Sequence, residues 1–132
     1  MRISLLAVPA LLLFPLAIAA AAPRDDGEAR LAKLLKGRTA GEPVDCIDFH
    51  RITGVDIVDR TAIVYRLGSQ LYVNRPDAGL RSLNRSNILV TDTGISKLCD
   101  VDVVRLVDQA QQVQSGFVNL GKFVPYTRHR RD

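Results

Sequence analysis

The chain has 132 residues, with 18 lysines and arginines against 14 aspartates and glutamates, for a formal net charge of +4. Aromatic residues make up 5% and tryptophan is absent, which argues against a large aromatic-lined pocket of the kind many sugar binders use. The basic excess is small and forms no stripe along the chain, so nucleic acid is not an expected partner.

The chain opens on a targeting signal. Arg2 supplies a positive start, Ile3 to Ile18 is an almost unbroken apolar run, and Ala19 to Ala22 are small residues that a signal peptidase reads. Residues 1–21 are expected to be a secretory signal peptide cleaved after Ala21. Cleavage after Ala22 would place Pro23 directly behind the scissile bond, where its ring and missing N–H are unfavourable. The rival reading is an uncleaved anchor. Pro9 and Pro15 interrupt the run, which is shorter than the ~20 residues that span a bilayer comfortably. The first cysteine is Cys46, so no lipoprotein cysteine stands at the cleavage site, and a soluble periplasmic or secreted protein is expected. About 110 residues would remain, the length of one domain.

Residues 22–43 read as a helical leader and linker. Glu28 to Lys36 holds good helix formers, with Asp25 or Asp26 to cap it and Gly37 to end it. Arg38 to Pro43 reads as a connector. Residues 44–126 read as a β-rich domain. Cys46 to Ile52 alternates, with Ile47 and Phe49 on one face and Asp48 and His50 on the other. Val55 to Val58 is a second strand and Asp59-Arg60 a turn. Residues 61–75 form a hairpin through Gly68-Ser69. Pro76 to Asn87 is turn-rich. Ile88 to Thr91 is a short strand, and Lys97 to Val107 a long one bent near Val103-Val104. Gly116 to Val124 is a final strand pair or bent strand that Pro125 ends. Residues 127–132 read as a basic disordered tail. Six or seven short strands after one helix predict a mainly β fold, a small antiparallel barrel or sandwich.

Cys46 and Cys99 are the only cysteines, and in an oxidising compartment an even count reads as a disulfide. No Cys-x-x-Cys is present to suggest a redox pair. Arg128, Arg130 and Arg131 stand close together in the tail, while the rest of the domain is near neutrality. The tail therefore offers weak, salt-sensitive contact with an anionic membrane, or simply a solubilising end.

Five blocks, Val44-Asp45-Cys46-Ile47, Asp59-Arg60-Thr61-Ala62-Ile63-Val64-Tyr65, Leu71-Tyr72-Val73-Asn74-Arg75, Lys97-Leu98-Cys99-Asp100-Val101-Asp102 and Leu120-Gly121-Lys122-Phe123-Val124-Pro125, give a further expectation. Over roughly residues 42–126 the chain resembles a domain-of-unknown-function family of small exported proteins of Gram-negative bacteria, many of them lipoproteins. The resemblance implies an exported β-rich domain and no particular activity.

Candidate chemistry is sparse. Asp48 and His50, two apart on a strand face, are the candidate metal ligands, beside the ordinary reading of a solvated face. Arg75, Arg81 and Arg85 flank or lie on one loop and are the candidate anion-binding group. Asp100, Asp102 and Asp108 fit exposed strand ends better than a catalytic carboxylate pair. No serine sits in a Gly-x-Ser-x-Gly elbow. No cofactor is expected. These features predict a non-catalytic binding or scaffolding domain of the cell envelope, with an envelope protein or glycan as partner. The alternatives are a small periplasmic hydrolase, or a secreted inhibitor presenting the 76–87 loop.

Overall fold

A computed structural model describes residues 26–130; residues 1–25, where the signal peptide and its cleavage site are expected, and Arg131 and Asp132 lie outside the described residues. The chain begins with helix α1 (Asp26–Leu34), which carries Asp26 and Glu28 in its first turn and Lys33 in its last, in agreement with the helix dipole. It starts two residues earlier than its composition suggests. Leu35 and Lys36 fall in a tightened final turn, and Gly37 leaves it at a φ of 75°.

The strands follow in order: β1 (Arg38–Ala40), β2 (Cys46–Asp48), β3 (Ile52–Val58), β4 (Ala62–Leu67), β5 (Gln70–Asn74), β6 (Asn87–Thr91), β7 (Lys97–Cys99), β8 (Val103–Asp108), β9 (Gln114–Asn119) and β10 (Phe123–Arg128). They form a five-stranded sheet in the order β1-β10-β5-β4-β3, a three-stranded sheet β6-β8-β9 and a two-stranded ribbon β2-β7. All the pairings are antiparallel. The fold is mainly β and sandwich-like, with no closed barrel.

The five-stranded sheet is apolar on both faces, because β4 is buried along nearly its whole length. Ile63, Tyr65 and Leu67 join Ile47, Leu98, Val104, Leu106, Val118 and Phe123 in the core shared with the other strands. Ala62 and Val64 join Val58, Leu71 and Val73 beneath Leu31 of α1. The expected hairpin is present: β4 and β5 turn through Gly68 and Ser69, with Gly68 at a φ of 59°.

Four local expectations need correction. The strand expected over Cys46–Ile52 stops at Asp48, whose carboxylate caps a 3-10 turn at Phe49–Arg51 before β3 begins. The long strand expected over Lys97–Val107 is two strands. Asp102 accepts the Cys99 backbone N–H at 2.7 Å, and this turn redirects the chain from β2 towards β6. Pro125 lies inside β10 rather than ending it. Its carbonyl accepts from Gly41 just beyond β1, so its missing N–H faces the sheet where β1 has stopped. Arg38–Ala40, expected in a connector, is a strand, and it holds Thr127 and Arg128 in register as part of β10 rather than leaving them in a tail.

Candidate functional site

The three candidate arginines are not free to act together. Arg75 binds Glu28 of α1 through two bonds, 2.6 Å and 3.1 Å. The Arg75 guanidinium holds the Glu28 carboxyl below its usual range, and the bond raises the pKa of Arg75. Arg85 pairs with Asp59 at 3.2 Å while its backbone N–H donates to the same carboxylate. Arg81 is exposed on the 3-10 turn Leu80–Ser82. The loop lies flat rather than protruding. Leu83 is fully buried, Ala78 bridges Asn119, and Gly79 meets the Phe117 backbone so closely that a Cβ would overlap it.

Asp48 and His50 do not present two ligands on a strand face. The Asp48 carboxylate accepts the His50 backbone N–H at 3.0 Å, and the imidazole lies edge-on to Phe49. No cluster of three His, Cys, Asp or Glu side chains with metal-binding geometry occurs among the described residues. Asp100, together with Asp45, holds Lys122, whose pKa both carboxylates raise. The disulfide expected between Cys46 and Cys99 is formed. The two residues face each other across the β2-β7 ribbon, next to a hydrogen-bonded pair in which Asp100 N–H donates to Asp45. Their Cα atoms are 4.0 Å apart, as suits the narrow, non-hydrogen-bonded position of an antiparallel pair.

A different set of cations comes together at one end of the five-stranded sheet. Where α1 ends it delivers Lys33 and Lys36, and Gly37 turns the chain into β1. The register of β1 on β10 then places Arg38 opposite Arg128. Arg66 of β4 completes the group. These five side chains, with Leu34, Leu71 and His129, line an open cleft of about 680 Å³. His129 bonds the Thr39 hydroxyl through Nε2. A second cleft, about 510 Å³, lies beside it and is lined by Arg51, Arg128 and Arg130 with Ser69, Gln70 and Thr127. Arg128 belongs to both.

The first cleft is short of negative charge. Arg38 is held in place by its bonds to the Ser69 carbonyl at 2.8 Å and the Tyr126 carbonyl at 3.3 Å, both neutral acceptors. Partial burial, then the charges of Arg128 and Arg66, lower its pKa. No carboxylate lines either cleft. The ion pair at this end is Arg66 with Asp56, 3.3 Å long and exposed to solvent. Residues 26–130 hold 15 lysines and arginines and 12 carboxylates. Seven of those cations line the two clefts, so the other eight share the remaining surface with nearly all the carboxylates. The domain is electrically polarised.

The sequence pointed to part of this site through Arg128 and Arg130. Lys33, Lys36, Arg38, Arg51 and Arg66 are scattered over four elements and turns, and no local spacing links them. Comparison with protein-family models, with curated proteins and with solved structures finds no match to this chain.

Proposed function

We propose that this protein is an exported, non-catalytic binding domain of the cell envelope, and that it recognises an anionic partner at its cationic end. The observation that carries this reading is the crowding of Arg38, Arg66 and Arg128 with Lys33 and Lys36 around a cleft without a lining carboxylate. Guanidinium and ammonium groups brought together without matching carboxylates lower the free energy of an incoming anion. The disulfide supports export to an oxidising compartment. No described helix is long and apolar enough to cross a membrane. Membership of the exported family that the chain resembles is part of the same reading.

Retention on a sulfated resin at low ionic strength tests it. The wild-type protein is expected to bind and to elute with salt. The triple variant Lys33→Gln, Lys36→Gln, Arg128→Gln is expected to elute at clearly lower salt. A control with the same loss of charge, Arg81→Gln, Lys97→Gln, Arg105→Gln, is expected to elute near the wild type. No retention, or equal shifts for the two variants, would remove the cationic end as the binding surface.

A further inference from the structure

We infer that the cationic end docks this protein end-on against a phosphate-bearing lipid surface, with the two basic clefts facing the headgroups. The inference rests on the anion-binding reading above and names the source of the anion.

Three observations favour lipid over a soluble ligand. The first is the distribution of the cations. They are divided between two clefts that share only Arg128, and they come from the end of α1, the ends of β1 and β10, β4 and the turn before β3. A compact anion would engage one cleft and leave the other uncompensated, whereas an array of phosphates satisfies both. The second is the character of the lining. Neither cleft is lined by phenylalanine, tyrosine or tryptophan, so neither offers the flat ring on which a sugar chain stacks. Both are open, and the side chain of Arg66 is 53% exposed even while paired. Exposed guanidinium and ammonium groups on long stems suit exchangeable contacts to phosphates at a surface. The third is the polarity of the whole domain. With seven cations at one end and most of the carboxylates elsewhere, a negative surface attracts that end and repels the remainder. The molecule is therefore oriented before contact.

Arg130 extends the surface past the end of β10. Arg128 and Arg130, read from the sequence as part of a loose basic tail, thus continue a surface begun by residues far away in the chain; Arg131, the third arginine of that reading, lies outside the described residues.

Co-sedimentation with vesicles tests the inference. Vesicles of equal parts phosphatidylglycerol and phosphatidylcholine are expected to bind the protein, and vesicles of phosphatidylcholine alone are not. Each cation near an anionic surface contributes about fivefold in partitioning, so the Lys33→Gln, Lys36→Gln, Arg128→Gln variant should bind on the order of 100-fold more weakly. The Arg81→Gln, Lys97→Gln, Arg105→Gln control should bind within a few-fold of the wild type. Salt at about 1 M, where the screening length is about 3 Å, should release the protein. Retention on the sulfated resin without binding to the anionic vesicles would overturn lipid docking while the anion-binding reading stands. Loss of both would overturn the two together. Binding of soluble polymannuronate in place of vesicles would assign the clefts to an acidic glycan and overturn lipid docking. Equal loss in both triple variants would overturn the assignment to this end. Circular dichroism and thermal unfolding of the variants, all altered at exposed positions, would separate lost binding from lost fold.

Discussion

Tyr65 has almost no exposed surface, and its hydroxyl is buried without a hydrogen-bond partner among the described residues. Its ring packs against Phe123 with centroids 5.8 Å apart, and burial pushes the phenol pKa upward. A desolvated O–H with no partner is a net cost. Tyr65→Phe is therefore expected to stabilise the protein by about 1 kcal/mol, read as a higher denaturant midpoint with an unchanged slope. A loss of stability would mean that the hydroxyl has a partner in solution. Asn74 is the contrasting buried polar group. Its amide donates to the Gly121 carbonyl at 2.7 Å and accepts the Gly121 N–H at 3.0 Å, so both ends are satisfied. Both side chains occur in an alternating β pattern, and the sequence shows that they lie in strands. It does not show which one is satisfied, because the partner of Asn74 is a backbone group 47 residues away.

At the level of elements, α1 decides more than its length suggests. Leu31 is buried, and Leu34 and Leu35 pack beside it against the outer face of the five-stranded sheet. Gly27 lets the helix approach the turn after β3, since a Cβ there would overlap the Thr61 hydroxyl. The same helix places Glu28 against Arg75 and Lys33 and Lys36 in the cleft. Leu31→Ala is expected to cost about 2–5 kcal/mol by leaving a cavity under the helix. It should also weaken retention on the sulfated resin, because the two lysines lose their position. Both effects are measurable on one preparation, by denaturant unfolding and by the salt needed for elution. The helix itself was legible from its composition. Its docking was not, because the leader carries only a partial apolar face and the receiving surface is built from β3, β4 and β5. The break between β7 and β8 was legible only as a bend near Val103-Val104, for a related reason. Val101, Val103 and Val104 continue the apolar pattern through it, and what stops the strand is one hydrogen bond from Cys99 to Asp102.

For the molecule as a whole, the disulfide is the longest covalent constraint. It joins residues 53 apart and holds a ribbon whose two strands have three residues each. So short a pair is marginal without support. Replacing both cysteines by alanine is expected to lower the unfolding free energy by about 4 kcal/mol, the loop-closure entropy returned to the unfolded chain. Chemical denaturation of the oxidised protein and the double variant measures the difference. A change below about 1 kcal/mol would show that strain in the folded protein or order in the unfolded chain offsets the crosslink. The charge polarity also belongs to this scale. In the sequence, the basic residues look like a short tail attached to a nearly neutral body. In the fold, the pairing of β1 with β10 draws Thr127 and Arg128, the start of that tail, back onto the sheet, beside Arg38 and Arg66.

The sequence alone determined the β-rich class, the 61–75 hairpin, the cysteine pairing and the presence of one helix near Glu28. These depend on short-range alternation, on turn residues such as Gly68, and on there being only two cysteines to pair. Which arginines stand together depends on how the chain is folded. Arg75 and Arg85 are close in sequence, yet each holds a carboxylate contributed by another element. Arg38 and Arg128 are 90 residues apart in the chain, yet face each other because antiparallel register sets their neighbourhood. Electrostatic interaction depends on distance through space, and for side chains on paired strands that distance is fixed by register rather than by position along the chain.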